Sequence, residues 1–204
     1  MQVSQRTSNA EMSAQTRAKI LTAAVASLAE LGYAGTTMSE IAKRIGLTRA
    51  ALIYHFDSKH TLMAAVTNTI YDEMFARYIQ AAPATLSPAQ SILALFDASY
   101  AMAGGTGQVA MIELLLAARR DPEYGAVVAT EIQRREDSFK KAWNNLAAQL
   151  PGKAKRLMLV RDLGVALLRG MTVSQSIGGY DSTFKHQYAI LRQLVANELG
   201  HDGK

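Results

Sequence analysis

The chain has 204 residues, 49% of them apolar, enough for a packed core, and carries a formal charge of +5. It contains no cysteine, which excludes disulfides, thiolate chemistry and Cys-ligated zinc or iron–sulfur sites. No apolar run reaches about 18 residues and Met1 to Gln15 is polar, so neither a membrane span nor a secretory signal is expected and a cytoplasmic location is the default.

The spacing of apolar residues is helical almost throughout, and period-2 strand runs are missing. Residues 1–13 read as a disordered arm. A first helix is expected from Ala14 to Leu31, ended by Gly32, with Ile20, Leu21, Ala24, Val25, Leu28 and Leu31 as its apolar stripe. A second begins at Thr37, where Thr37 and Glu40 have the spacing of a capping box, and stops at Gly46. Thr48 caps a third, Arg49 to Phe56. A fourth covers about Ser58 to Tyr78. Ser87-Pro88-Ala89-Gln90 opens a fifth, which the loop Gly104 to Gly107 ends.

Val109 to Arg120 reads as a sixth helix, and Asp121-Pro122 starts a long seventh that Pro151-Gly152 breaks. An eighth covers Lys153 to Ser176 and a ninth Ser182 to Leu199. The fold class is therefore all-α with about nine helices. The natural division is a head at 14–57 and a larger helical body at 58–204, with the helix 58–78 as connector.

Function concentrates in residues 37–56, which have the layout of a helix-turn-helix. Ala42 is the small residue needed where two helices cross, and Gly46 tolerates positive φ in the turn. Ile41, Ile45, Leu47 and Leu52 supply the apolar contacts that hold the crossing angle. The second helix then offers Arg49, Ala50, Ala51, Tyr54 and His55 to a DNA major groove. Residues 1–60 carry seven Lys/Arg against four Asp/Glu while the rest is nearly balanced, which fits a polyanionic partner at this end.

The stretch Leu31 to Ala42, followed by Gly46 to Phe56 and Ser58-Lys59, resembles the DNA-binding domain of the TetR family of transcriptional regulators. The likeness covers residues 14–63 without a gap. It implies a phosphate-contacting cap at Thr37, base contacts from Thr48 and Arg49, a small residue at Ala50, backbone or base contacts from Tyr54 and His55, and a phosphate contact at Lys59. The chain departs from the family at Ile53, where tyrosine is usual; Ile53 has the chemistry to meet a thymine methyl instead. The resemblance further implies a homodimer through the helices near 153–176 and 182–199. Stripes available there are Leu157, Val160, Gly164, Leu167 and Met171, and Phe184, Tyr188, Leu191 and Val195. It also implies an effector pocket in the body, with Phe96, Tyr100, Met111, Leu115, Trp143 and Gln175 as candidate lining, whose modest polarity favours a hydrophobic or aromatic effector.

Other motifs carry less. Gly105 to Ala110 fits a dinucleotide-binding pattern, but that pattern works only between a strand and a helix, and the residues before it read as helix. Glu198 to His201 is a single E-x-x-H at a chain end, not a di-iron pair. Arg134 to Lys141 reads as a solvated face with the i,i+4 pairs Glu131–Arg135, Glu136–Lys140 and Asp137–Lys141. No nucleophile elbow, P-loop or H-E-x-x-H is present, so neither catalysis nor a cofactor or metal is expected. The expected function is a repressor that an effector releases from a palindromic operator. A helical enzyme or carrier with an incidental helix-turn-helix is the alternative, and a nucleoid-type DNA binder without a ligand is a third reading.

Overall fold

The structure, a computed structural model, describes residues 2–178 and 181–200, with side chains at 9–178 and 184–200. The described residues form nine helices and no strand: α1 (Gln2–Gly35), α2 (Met38–Arg44), α3 (Arg49–His55), α4 (Lys59–Ala81), α5 (Pro88–Met102), α6 (Thr106–Arg120), α7 (Pro122–Ala147), α8 (Ala154–Ile177) and α9 (Asp181–Leu199). The expected order of elements is present.

Two boundaries move. Helix α1 begins at Gln2 rather than at Ala14, so the segment read as a disordered arm is helical. Its polar residues, exposed from Asn9 to Gln15, give no apolar stripe to read, and the helix simply continues through them. Helix α6 starts at Thr106, which absorbs half of the glycine-rich stretch expected to be loop. The dinucleotide-like pattern thus follows one helix and runs into the next, outside the strand–helix setting it needs.

Helix termini follow their chemistry. Gly32, with φ 68° and ψ 178°, interrupts α1 before a last turn to Gly35. Thr37 Oγ1 accepts from the Glu40 amide at 3.1 Å. The expected reciprocal bond is replaced, because Glu40 accepts from Arg44 at 2.8 Å and Arg44 also reaches Glu30. A second basic partner one turn away outcompetes the backbone N–H. At Ser87 and Gln90 no such competitor exists, and both halves of the capping box form.

The chain divides into two compact units. The head comprises residues 1–70 and 110–129; the body comprises 71–109 and 130–204. The head is therefore larger than the sequence suggests. Leu114, Tyr124 and Val128 are fully or almost fully buried, as are Leu62, Met63 and Val66 of α4. Buried hydroxyls pair off: Tyr124 with Thr67 at 3.0 Å and Ser27 with Thr36 at 3.1 Å.

The body core consists of Ile92, Phe96, Trp143, Ala147, Leu157, Tyr188, Leu191, Val195 and Leu199. Here the expected dimer stripes are corrected. Leu157, Gly164 and Met171 of α8 and Phe184, Tyr188, Leu191 and Val195 of α9 are buried within this unit. The apolar residues left outside are Leu159, Leu163, Val173 and Ile177 of α8 and Ile190 and Leu194 of α9. Both helices carry apolar residues on two faces, and periodicity does not say which face is covered by the chain itself.

On α7, Glu131 pairs with Arg134 and Arg135 as the spacing predicts. Glu136 instead accepts from Tyr71 and Arg169, and Asp137 from Gln133, so the pairs expected with Lys140 and Lys141 give way to these partners. Glu198 of the E-x-x-H meets Arg156, while His201 lies outside the described residues. No single helix among the described residues is long and apolar enough to cross a membrane.

Candidate nucleic-acid interface

Helices α2 and α3 form the helix-turn-helix. Ile41 and Leu52 are fully buried and Ala42 almost so, which lets the two helices cross closely. Gly46 sits between them at φ 69°, a conformation that any side chain would strain. The Leu47 amide returns to the Ala42 carbonyl at 2.9 Å and closes the turn. Thr48 Oγ1 accepts from the Ala51 amide at 3.1 Å and fixes the start of α3.

This geometry leaves one face of α3 in solvent. Thr48, Arg49 and Ala50 are exposed, as are Ile53 and Tyr54. Tyr54 is 85% exposed, which removes it from the core edge. Ala51 and His55 are half-buried. Thr37 is exposed at the start of α2, and its hydroxyl, already accepting from Glu40, retains a proton to donate. The expected DNA-facing residues of α2 and α3 thus lie at the surface, with Leu52 and Phe56 behind them in the core.

Lys59 is placed differently. Its Nζ donates to the Tyr33 carbonyl and lies 4.0 Å from the centre of the Tyr33 ring. Burial lowers its pKa from the ordinary lysine value, and the charge of Asp121 opposes that shift. Lys59 therefore braces α4 against the last turn of α1, with its remaining donors available for a phosphate.

Arg17 has a role that sequence reasoning did not find. Its guanidinium donates to the His55 carbonyl at 3.2 Å and stacks 4.1 Å over the Phe56 ring. It joins Ile53, Tyr54, His55, Asp57 and Thr61 around a shallow groove of about 360 Å³ at the end of α3. Only the fold brings Arg17 to residues 38 positions away.

Below the helix-turn-helix a polar cluster holds α1, α4 and the α6–α7 turn together. Asp121 accepts from the Tyr124 amide at 3.1 Å, from the Tyr33 hydroxyl at 3.2 Å and from His60 at 3.0 Å. These bonds, the Tyr124 amide foremost, hold its carboxyl below the usual range. Burial is the main cause that pushes the Tyr124 phenol up to about 12.

The six candidate effector residues are divided between the two units. Met111 and Leu115 belong to the head unit and the other four to the body. Phe96 meets Trp143 edge-on, with ring centres 5.4 Å apart. Tyr100 stacks on Tyr188 at 3.9 Å, and Gln175 lies against Gly104.

Comparison with known proteins agrees with this architecture. Residues 20–66 match the family model described as bacterial regulatory proteins, tetR family. The chain is 27% identical over 140 residues to the HTH-type transcriptional regulator CymR of Pseudomonas putida, covering 68% of each chain. It is 33% identical over 84 residues to the HTH-type transcriptional repressor KstR2 of Mycobacterium tuberculosis, covering 41% of this chain and 42% of that one. A TetR transcriptional regulator from Chloroflexus aurantiacus superposes with a TM-score of 0.73 at 21% identity, over 91% of this chain and 96% of the other. The family match falls on the residues that contain the helix-turn-helix, and the fold likeness extends over most of the chain: residues 20–66 resemble the DNA-binding domain of bacterial regulatory proteins of the tetR family, and the chain shares the fold of such regulators.

Proposed function

We propose that the protein is a homodimeric repressor that binds a palindromic operator through α3 of each protomer and leaves it when a small effector binds the body. The observation that carries the DNA-binding reading is the exposed face of α3: Arg49, Ala50, Ile53 and Tyr54, held by the Thr48 cap over a buried Leu52. Arg49 is the residue for base contact, since a guanidinium can grip guanine in a bidentate manner. Thr37, Lys59 and Arg17 take the backbone.

A dimer follows from the half-site logic, since two α3 helices must reach successive major grooves about 34 Å apart. The surface for it is the outer stripe of α8 and α9, with Leu159, Leu163, Ile190 and Leu194 exposed on one protomer. Release requires an effector that binds better to the shape that no longer fits the operator; equal affinity for both shapes would shift nothing. Helix α4 supplies covalent continuity for this, since residues 59–70 belong to the head and 71–81 to the body. The enzyme or carrier alternative has no catalytic constellation in its favour, and the relatives that match are named as regulators.

The test is binding to the intergenic DNA beside the gene, with a salt titration and a scrambled-site control. Tight binding to a palindrome, lost on scrambling, is the expected result. Equal affinity for both DNAs would leave only a non-specific DNA binder, and no binding would sink the reading.

A further inference from the structure

The body contains an arginine in a core position. On α8 the inward register runs through Leu157, Gly164 and Met171, all buried, and Arg161 stands on the same stripe. Its side chain is only 11% exposed. The acceptor it has among the described residues is Asp162, one residue along the chain, at 2.7 Å and 61% exposed. A guanidinium has five N–H donors, and burying it with one weakly placed partner is costly.

The same neighbourhood holds a second unused donor. Trp143 is the chain's one tryptophan, is 8% exposed, and its indole N–H has no partner among the described residues. Buried tryptophans ordinarily find an acceptor. Packing links the two. Trp143 meets Phe96, and Phe96 lies against Gly164, three residues from Arg161 on α8. One turn earlier on α7, Phe139 packs edge-on against Tyr78 at 5.6 Å. The Tyr78 hydroxyl bonds Ser99 of α5 at 2.9 Å. Burial raises this phenol's pKa, while the Ser99 bond and the charge of Arg161 pull it down, which places Arg161 within electrostatic reach of the hydroxyl. Helices α4, α5, α7 and α8 thus set Arg161 beside an apolar, aromatic region, the usual make-up of a small-molecule site.

We propose that the effector is an organic anion, a carboxylate on an apolar body, received by Arg161 at its charged end and lying against Tyr78, Phe139, Trp143 and Phe96. The proposal rests on the reading that the body binds an effector, and it names the chemistry. Of the acidic groups here, Asp162 is already paired with Arg161, and Glu136, whose charge reaches Tyr78, already accepts from Tyr71 and Arg169, so both are less available to receive a cation. A carboxylate would give Arg161 the planar acceptor that suits a guanidinium.

The single tryptophan makes the test direct. Full-length protein is titrated with benzoate, phenylacetate and octanoate, each beside its neutral amide, and with benzyltrimethylammonium. Trp143 emission and operator release are followed together. The expected result is that at least one acid shifts the emission and releases DNA at a concentration roughly tenfold or more below that of its amide. Arg161→Met should erase that preference and Arg161→Lys should keep part of it, with thermal midpoints reporting that both variants are folded. An amide or the quaternary ammonium acting as well as the acids, or an acid preference that survives in Arg161→Met, overturns the anion proposal. The effector reading would then still stand on the compound that released DNA. If no compound moves the emission or frees the operator, both readings fail.

Discussion

Head and body leave different surfaces uncommitted. The head leaves Met12, Leu31, Leu116 and Val127 exposed singly on other helices, and on α3 it presents mostly polar and compact residues, with Tyr54 almost fully in solvent. The body braces its polar groups internally, Arg135 to Asp72, Arg169 to Glu136, and Tyr188 and Arg192 to Asp97. On α8 and α9 it leaves a group of apolar residues outside, Ile177 at 77% and Ile190 at 65% exposed among them. A polar, basic face matches hydrated phosphates and base edges, whereas an apolar stripe gains only by meeting another apolar surface. Under the proposed function the two units meet two classes of partner, DNA and a second copy of the chain.

The largest expected effect comes from breaking the body's side of this contrast. Leu163→Asp with Ile190→Asp should give a monomer by sedimentation equilibrium. Operator affinity should fall on the order of a hundredfold or more, because the second half-site contact is no longer tethered to the first. A dimer that survives both changes would mean that the exposed stripe has another use. In the head, Leu52→Ala deletes a fully buried side chain under α3. It should cost about 2–5 kcal/mol by denaturant unfolding and remove DNA binding with it.

Surface changes in the head should be smaller and should separate reading from holding. Arg49→Ala should cost about 1–3 kcal/mol of operator binding and relax base preference at one position. Lys59→Ala should weaken all sequences alike, and because Lys59 also grips Tyr33 it should lower thermal stability as well, which Arg49→Ala should not. A uniform loss from Arg49→Ala would move Arg49 to the phosphates. Thr48→Ala removes the cap of α3 and should cost about 1 kcal/mol of stability.

These contrasts follow how far the sequence can be read. The turn at Gly46 and the caps at Thr37, Thr48 and Ser87 are local: each depends on residues within four positions, and each is where the sequence places it. The exposed face of α3 follows from the same short range. What was not legible depends on distant partners. Arg17 reaches His55, Lys59 turns to Tyr33, and Glu40 abandons its cap for Arg44 because Glu30 lies opposite. The outward stripe of α8 was missed for a related reason. Leu157 and Leu159 are equally apolar, and only the packing of α9 decides that the first is buried and the second 63% exposed. The effector candidates, read from apolar spacing, fall in both units, Met111 and Leu115 in the head and the other four in the body, and that spacing does not single out Arg161, a charge on a core stripe.

The smallest expected effect concerns the polar cluster of the head and sharpens the comparison by pH. Asp121 is held below its ordinary value of 3.8 by the Tyr124 amide first, then by His60 and Tyr33. A carboxylate whose folded pKa is depressed contributes stability that is present above its unfolded pKa and lost as pH falls through the folded one. The window is therefore acid, from about pH 4 downward. Asp121→Asn keeps an acceptor for the Tyr124 amide, since asparagine caps helices nearly as well, but loses the charge facing His60. The variant should be slightly less stable than the wild type at pH 7, and the gap should close below about pH 4. In the body Glu131 is held at about 2 by Arg134 and Arg135, so Glu131→Gln should close its own gap at lower pH than Asp121→Asn does at the onset of its loss. Thermal midpoints between pH 7 and pH 2 for the wild type and both variants decide the matter. A gap at Asp121 that stays constant across the whole range would show that its carboxylate charge contributes nothing and that geometry alone holds the cluster.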